Sequence, residues 1–311
     1  MTPGGLIQYR RFQKRFREAA EEAARKGTFD LIAAHWALPA SRPALHAAKR
    51  ANLPLVVHSH GTDVRLLSQV FLARRFASTA LHRASRWTVV SSYLKKLAAD
   101  SFPALTEKIQ VAPLPTDPKL FWTEDITRRD PKLIVSVTRF VPQKRVEVLI
   151  DAAAELKKRA VEFKLEIYGV GPLEEELKLR AGERELGGIV SFFGPTTQTE
   201  LRSVYNRAGI VALNSIKEGF GLTLVEGALC GALPVGVNSG GIPDIIEHEQ
   251  TGFLAEPDNP SALADELARA LENPERREAL SQIARQNALE RFTGSATARR
   301  YAEIYRQACG D

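Results

Sequence analysis

Short apolar runs and amphipathic stretches alternate twice along this chain, and that alternation restricts the fold more than any other feature of the sequence. In the first half, residues 29–36, 53–58, 86–90 and 108–112 read as strands. Residues 6–25, 41–51, 66–84 and 91–99 read as helices, the last capped by Ser91 or Ser92. In the second half, 132–138, 163–168, 189–193, 210–213, 233–237 and 251–254 read as strands. Helices are expected at 146–159, from the Gly171-Pro172 turn to about Ala181, at 197–208, at 261–271 with Ser261 as cap, at 274–291 and at 295–308. Strands separated by helices pair in parallel and are covered on both faces. The fold class is therefore α/β, with two Rossmann-like domains facing across a cleft, a favoured place for a ligand. The expected boundaries are an amino-terminal domain over 1–114, a linker over 115–131, a ligand-binding domain over 132–291 and a final helical segment over 292–311. Pro113, Pro115, Pro118 and Pro131 mark the linker.

The 311 residues suffice for two such domains, and 44% hydrophobic with 26% charged residues is the profile of a globular protein. No apolar run approaches the roughly 20 residues that cross a bilayer. Met1 leads into Pro3-Gly4-Gly5 and a basic segment rather than a signal peptide, so a cytoplasmic location is expected. Two cysteines, Cys230 and Cys309, support neither a disulfide framework nor a zinc site. The formal charge of +6 suits phosphates or an acidic membrane surface. It is too modest to imply nucleic acid, and no aromatic-basic RNA motif accompanies it. Arg10, Arg11, Lys14, Arg15 and Arg17 give the first helix a basic shoulder. That shoulder allows peripheral membrane contact, although a solvated domain face accounts for it more simply, because the apolar stripe is short and alanine-rich.

The densest chemistry lies at 214–231, Asn-Ser-Ile-Lys-Glu-Gly-Phe-Gly-Leu-Thr-Leu-Val-Glu-Gly-Ala-Leu-Cys-Gly. Gly219-Phe220-Gly221 precedes a helix start at Leu222, where free N–H groups and the helix dipole favour an anion. Glu218 and Glu226 flank it and can accept hydrogen bonds from hydroxyls on either side. An anion between two sets of hydroxyls describes a sugar–diphosphate–ribose. A plain strand–turn–helix link with two solvated glutamates gives the same pattern. Arg139 and Lys144 flank another strand-to-helix turn, and together they suit phosphate binding. Gly169-Val-Gly171-Pro172 lacks a third glycine and a following acid, so it reads as a close turn lining a pocket rather than a dinucleotide fingerprint. Gly240-Gly241 is a second glycine turn at a helix start. His60, with Gly61 and Asp63, falls past the carboxyl end of a strand, where open α/β sheets bind ligands. His35 ends the neighbouring strand and reads as structural.

The order Arg139…Lys144, Glu218-x7-Glu226 and Gly240-Gly241-Ile-Pro-Asp-Ile-Ile-Glu-x3-Thr-Gly-Phe-Leu resembles the family-four retaining glycosyltransferases of the GT-B fold. The His-Gly-Thr-Asp segment at His60 is similar to theirs too. The resemblance runs from about Phe29 to the end and is densest from Lys132 to Glu272. It implies catalytic roles for His60, Arg139, Lys144 and Glu218. Arg139 and Lys144 would hold the donor diphosphate and stabilise the leaving group. Phe220, Gly221 and Leu222 would give N–H groups to the same phosphates, with Gly171 beside them. Glu226 would accept from ribose hydroxyls, Glu218 would hold the transferred sugar, and His60 would sit near that sugar and the acceptor. The resemblance further implies a UDP- or GDP-type nucleotide-sugar donor and no cofactor or metal. It implies retention through front-side attack within an ion pair rather than through a protein nucleophile. The acceptor, whether glycan, lipid or small molecule, is not legible.

Three departures from the family pattern stand out. The amino end is short, with one helix before Phe29 and no strand ahead of Gly4-Gly5, so the amino-terminal domain is expected to be incomplete. Exposed sheet edges would then call for an oligomer or a partner chain to cover them. The usual Asn-Gly-Val-Asp turn reads Leu114-Pro115-Thr116-Asp117, and Gly294-Ser295 replaces a stretch that is often aromatic. The alternative function is a weakly catalytic or inactive nucleotide-sugar-binding partner subunit.

Overall fold

A computed structural model describes residues 3–124 and 129–310. Two units emerge, Met1–Pro113 with Ala298–Asp311, and Leu114–Thr297. In the first, β1 (Ile32–His35), β2 (Leu55–Ser59), β3 (Arg86–Val89) and β4 (Ile109–Val111) form a parallel sheet in that order. Its helices are α1 (Pro3–Lys26), α2 (Ala37–Ala51), α3 (Thr62–Gln69), α4 (Phe71–Arg83) and α5 (Ser92–Ser101). The Ser91 side chain caps α5 by accepting from the Leu94 N–H. All five residues of β2 are buried, as expected of a parallel strand covered on both faces.

The second unit has a six-stranded parallel sheet. Its strands are β5 (Asp130–Val137), β6 (Lys164–Tyr168), β7 (Val190–Phe193), β8 (Ala208–Leu213), β9 (Leu233–Val237) and β10 (Phe253–Ala255). They lie in the order β10-β9-β8-β5-β6-β7. Five helices connect them or follow, namely α6 (Val146–Lys158), α7 (Glu174–Glu183), α8 (Gln198–Arg207), α9 (Leu222–Leu229) and α10 (Pro260–Glu272). Then come α11 (Pro274–Arg291) and α12 (Gly294–Cys309). From Ala298 onward α12 belongs to the first unit, where Ile304 packs on Val56 and Ala112. The strand order reverses direction between β8 and β5, and the site residues of this unit gather at the carboxyl ends of those strands.

Local readings and structure differ where side chains override periodicity. The single helix expected at 66–84 breaks at Val70, which is extended. Arg74 reaches back from α4 and donates to Leu67 O (3.1 Å) and Ser68 O (3.0 Å), satisfying carbonyls at the end of α3. Asn259, not Ser261, caps α10, accepting from the Ala262 N–H at 3.1 Å with Pro260 in the first turn. Gly240-Gly241 opens only a 3-10 turn, Ile242–Asp244, because Ile242 and Ile246 are buried and the Thr251 hydroxyl accepts the Glu247 N–H. The proline-marked segment lies on the second unit. Thr116 N donates to Phe292 O (2.7 Å), Phe121 is buried near Tyr205, and Glu124 N donates to the Asn206 side chain. Residues 125–128 of that segment lie outside the described residues. Among the described residues no helix is long and apolar enough to cross a membrane.

Candidate functional site

Three loops at the carboxyl ends of β5, β8 and β9 lock together in the second unit. After β5 the chain passes Arg139 and Phe140 into a 3-10 turn, Pro142–Lys144, and Arg145 takes a positive φ of 52° before α6. The Asn214 amide at the end of β8 donates to the Arg145 carbonyl. Ile216 N donates to Gln143 O at 3.0 Å, and the Gln143 amide donates to Lys217 O at 3.2 Å. From the β9 loop, Gly241 N donates to Glu218 O at 2.9 Å. Gly240 has φ +62°, and a Cβ there would stand 2.4 Å from both the N and the O of Glu218. Only glycine permits that approach.

This bracing brings Lys144 Nζ to 2.5 Å from Glu218 Oε2, with both side chains 15% exposed. Burial pushes the Glu218 carboxyl up, but the Lys144 charge, its hydrogen bond and the Gly219 N–H outweigh it and hold the pKa below the usual value. Beyond Glu218, Phe220 is buried with its ring edge-on to Phe292, and Gly221 at φ +111° turns the chain into α9. Among the described residues, the backbone N–H groups of Phe220, Gly221, Leu222 and Thr223 find no acceptor in the protein. Arg139 is exposed next to Phe140 and makes no ion pair among the described residues. Gly171 packs on the same turn, where a Cβ would lie 2.3 Å from Phe140 O.

One turn along α9 from Leu222, Glu226 accepts a hydrogen bond from the fully buried Tyr205 hydroxyl at 3.1 Å. Burial raises the Glu226 carboxyl above its ordinary pKa, against the opposing effect of the Tyr205 bond. The structure thus groups Lys144, Glu218 and the start of α9, and sets Glu226 against Tyr205 rather than against a cation. Arg145, which spacing does not single out, is ion-paired to Glu147 and Asp258.

In the first unit His60 belongs to a histidine cluster. His35 Nδ1 lies 3.0 Å from His60 Nε2, with the rings parallel within 4°. His58 stacks on His35, and its two ring nitrogens meet the Thr88 hydroxyl (2.6 Å) and the Tyr305 hydroxyl (2.9 Å). Sequence reasoning takes His35 as structural and passes over His58. Their signal is two adjacent strands each reaching a histidine, and His35 and His58 are register partners across β1 and β2. Asp63 is buried and accepts from the Ala37, His60 and Gly61 N–H groups, so it shapes the His60 turn. Burial, reinforced by His35 against an opposing pull from Asp63, lowers the His60 pKa.

Burial and the neighbouring His35 and His60 push the His58 pKa down to about 3. A histidine held neutral in the fold stabilises it above its unfolded pKa near 6.5, and that contribution is lost as pH falls toward 3. Unfolding free energy is expected to drop by about 1.4 kcal/mol per pH unit on this account below pH ~6.5. Denaturant titrations at stepped pH check it, and His58→Gln should flatten the slope between pH ~6.5 and ~5. An unchanged slope would remove His58 as its source.

Residues 121–287 match the family described as glycosyl transferases group 1, and residues 2–120 match glycosyltransferase family 4. The chain is 24% identical over 310 residues to the N-acetyl-alpha-D-glucosaminyl L-malate synthase of Bacillus anthracis, covering 96% of this chain and 80% of that protein. It is 32% identical over 183 residues to a D-inositol 3-phosphate glycosyltransferase of Corynebacterium efficiens, covering 57% and 43%. Among solved structures, Anabaena HepE in complex with UDP and glucose superposes with a TM-score of 0.78 at 22% identity, covering 94% of this chain and 80% of that one. Sucrose-phosphate synthase from Thermosynechococcus elongatus gives 0.79 at 23% identity, covering 94% and 77%. Two parallel-sheet units with this strand order, and a family match over more than half of its length, mean that the chain belongs to the group 1 glycosyltransferases and has the GT-B type of fold.

Proposed function

We propose that this glycosyltransferase moves a sugar from a UDP-type donor to an acceptor hydroxyl, with retention of anomeric configuration and without a metal. One observation carries the donor reading. The Lys144–Glu218 pair stands beside a helix start whose N–H groups have no acceptor in the protein among the described residues. Lys144, Arg139 and the N–H groups of Phe220, Gly221 and Leu222 would hold the diphosphate, with Gly171 keeping the Phe140 turn close by. As the glycosidic bond breaks, negative charge grows on the leaving diphosphate, and fixed cations and amides stabilise that charge without reorganising. The acceptor attacks from the face the diphosphate leaves, so no protein nucleophile is needed. Glu218 takes sugar hydroxyls, Glu226 takes the ribose hydroxyls, and His60 contacts substrate. The neighbour HepE, seen with UDP and glucose, supports the nucleotide type.

The test is incubation with UDP-sugars and a panel of acceptors in the presence of a chelator. UDP release with a product anomer matching the donor's, read by NMR, is the expected result. An inverted product, or activity abolished by the chelator, contradicts the mechanism. UDP binding without turnover on any acceptor would favour a donor-binding partner subunit instead. Glu226→Ala is expected to weaken UDP binding by about 1.5–3 kcal/mol in calorimetry, through lost hydrogen bonds to a charged group. Equal affinity would place the ribose elsewhere.

A further inference from the structure

The first unit carries 21 Lys and Arg against 9 Asp and Glu, a formal charge of +12, which leaves −6 for the second unit out of the chain's +6. The imbalance is sharpest between Asp30 and Asp100. That stretch holds ten Lys and Arg and one acid, Asp63, which is buried and occupied by three backbone N–H groups. Three of those ten, Arg42, Arg74 and Arg75, share one surface with Arg10, Lys14 and Arg17 of α1. Arg10, Lys14, Arg17 and Arg42 line a groove of about 460 Å³ between α1 and α2, closed by Tyr9 and Phe76. Arg42 lies over the Phe76 ring at 4.3 Å. The same Arg42 and Phe76 also line the adjoining hollow with Phe71, Arg74 and Arg75 at the start of α4.

On α1, Glu18 lies 3.9 Å from Lys14, and Glu21 lies 3.9 Å from Arg17 and accepts from Arg50 at 2.8 Å. Arg74 is held by the carbonyls that end α3. Arg10, Arg42 and Arg75 have no ion-pair partner among the described residues. Beside these cations stands an apolar tip. Where α3 breaks into α4, Phe71 is 69% and Leu72 73% exposed, with Leu66 and Val70 also exposed. Large adjacent side chains held in water at that level mark a contact surface.

We propose that this face, formed by α1, Arg42 and the start of α4, docks on an anionic lipid bilayer. Phe71 and Leu72 enter the headgroup and upper acyl region, and Arg10, Arg42 and Arg75 meet lipid phosphates. Cations attract the unit to the surface, and the apolar tip gives it a hold that charge alone does not supply. A soluble polyanion would use the cations and leave Phe71 and Leu72 in water. The inference is independent of the donor chemistry, since vesicle binding needs no turnover.

The experiment is flotation of the full chain with phosphatidylcholine vesicles and with vesicles one-third phosphatidylglycerol. Binding is expected only to the anionic vesicles and should weaken at high salt. Arg42→Ala should weaken it about fivefold, the usual effect of one basic residue near such a surface. Phe71→Ser combined with Leu72→Ser should weaken it about tenfold or more by removing the inserted surface. Both side chains are mostly exposed, so the variant should keep the wild-type circular dichroism melt. Three results would overturn the proposal. These are equal binding to neutral vesicles, full binding by the double variant, or heparin binding with no binding to anionic vesicles.

Discussion

Lys144→Ala is expected to lower donor turnover by about 100-fold or more, the usual cost of removing a fixed donor aimed at developing charge. The structure adds a second consequence. Lys144 is what overcomes burial and holds the Glu218 pKa low. Without it only the smaller effects of the Ser215 and Gly219 hydrogen bonds oppose burial, the carboxyl pKa moves up, and the stability that the lowered pKa supplies at neutral pH shrinks. Breaking a mostly buried pair on one side costs about 1–3 kcal/mol here, below the cost for a fully buried pair because both groups keep some water contact. Turnover and stability can be separated with Lys144→Ala combined with Glu218→Met, which leaves no unpaired charge. That double variant should regain most of the stability in a urea titration, which assigns the stability loss to the unpaired carboxylate. The turnover effect of Lys144 is read from the single variant at a temperature where it stays folded. Turnover near wild type in Lys144→Ala would show that Lys144 is only the partner of Glu218.

Gly240→Ala is expected to cost about 2–4 kcal/mol, because an αL conformation and a backbone clash act at one position. The new Cβ would sit 2.4 Å from the N and O of Glu218, and neither atom can swing away as a side-chain tip would. Relief requires the 215–219 loop to move, and it carries Glu218 off Lys144. The variant should therefore lose donor affinity along with stability. Gly294→Ala, where a Cβ meets nothing within 4 Å, serves as the control. Wild-type UDP affinity and an unchanged urea midpoint in Gly240→Ala would show that the loops are less tightly braced than their hydrogen bonds imply.

The βα alternation was legible because burying a parallel sheet on both faces demands continuous apolar strands, such as β2, β8 and β9, and these stand out in any reading. The glycine–glutamate stretch was legible too, since a turn into a helix start needs glycine at Gly221 whatever surrounds it. Periodicity could not see the break at Val70. The apolar spacing runs through it, and the stop comes from Arg74 reaching back seven and six residues.

Residue order was enough for the fold class, the positions of the cationic turn and the glycine elbow, and the family resemblance. These depend on local patterns of residue type that a linear chain displays. Three-dimensional packing was needed to close Lys144 on Glu218, to rest Glu226 on Tyr205, and to gather His35, His58 and His60 into one cluster. Those pairings join residues 74, 21 and 25 positions apart. They are set by which strands lie side by side and how far each loop is pulled in, and side-chain chemistry alone does not encode that distance.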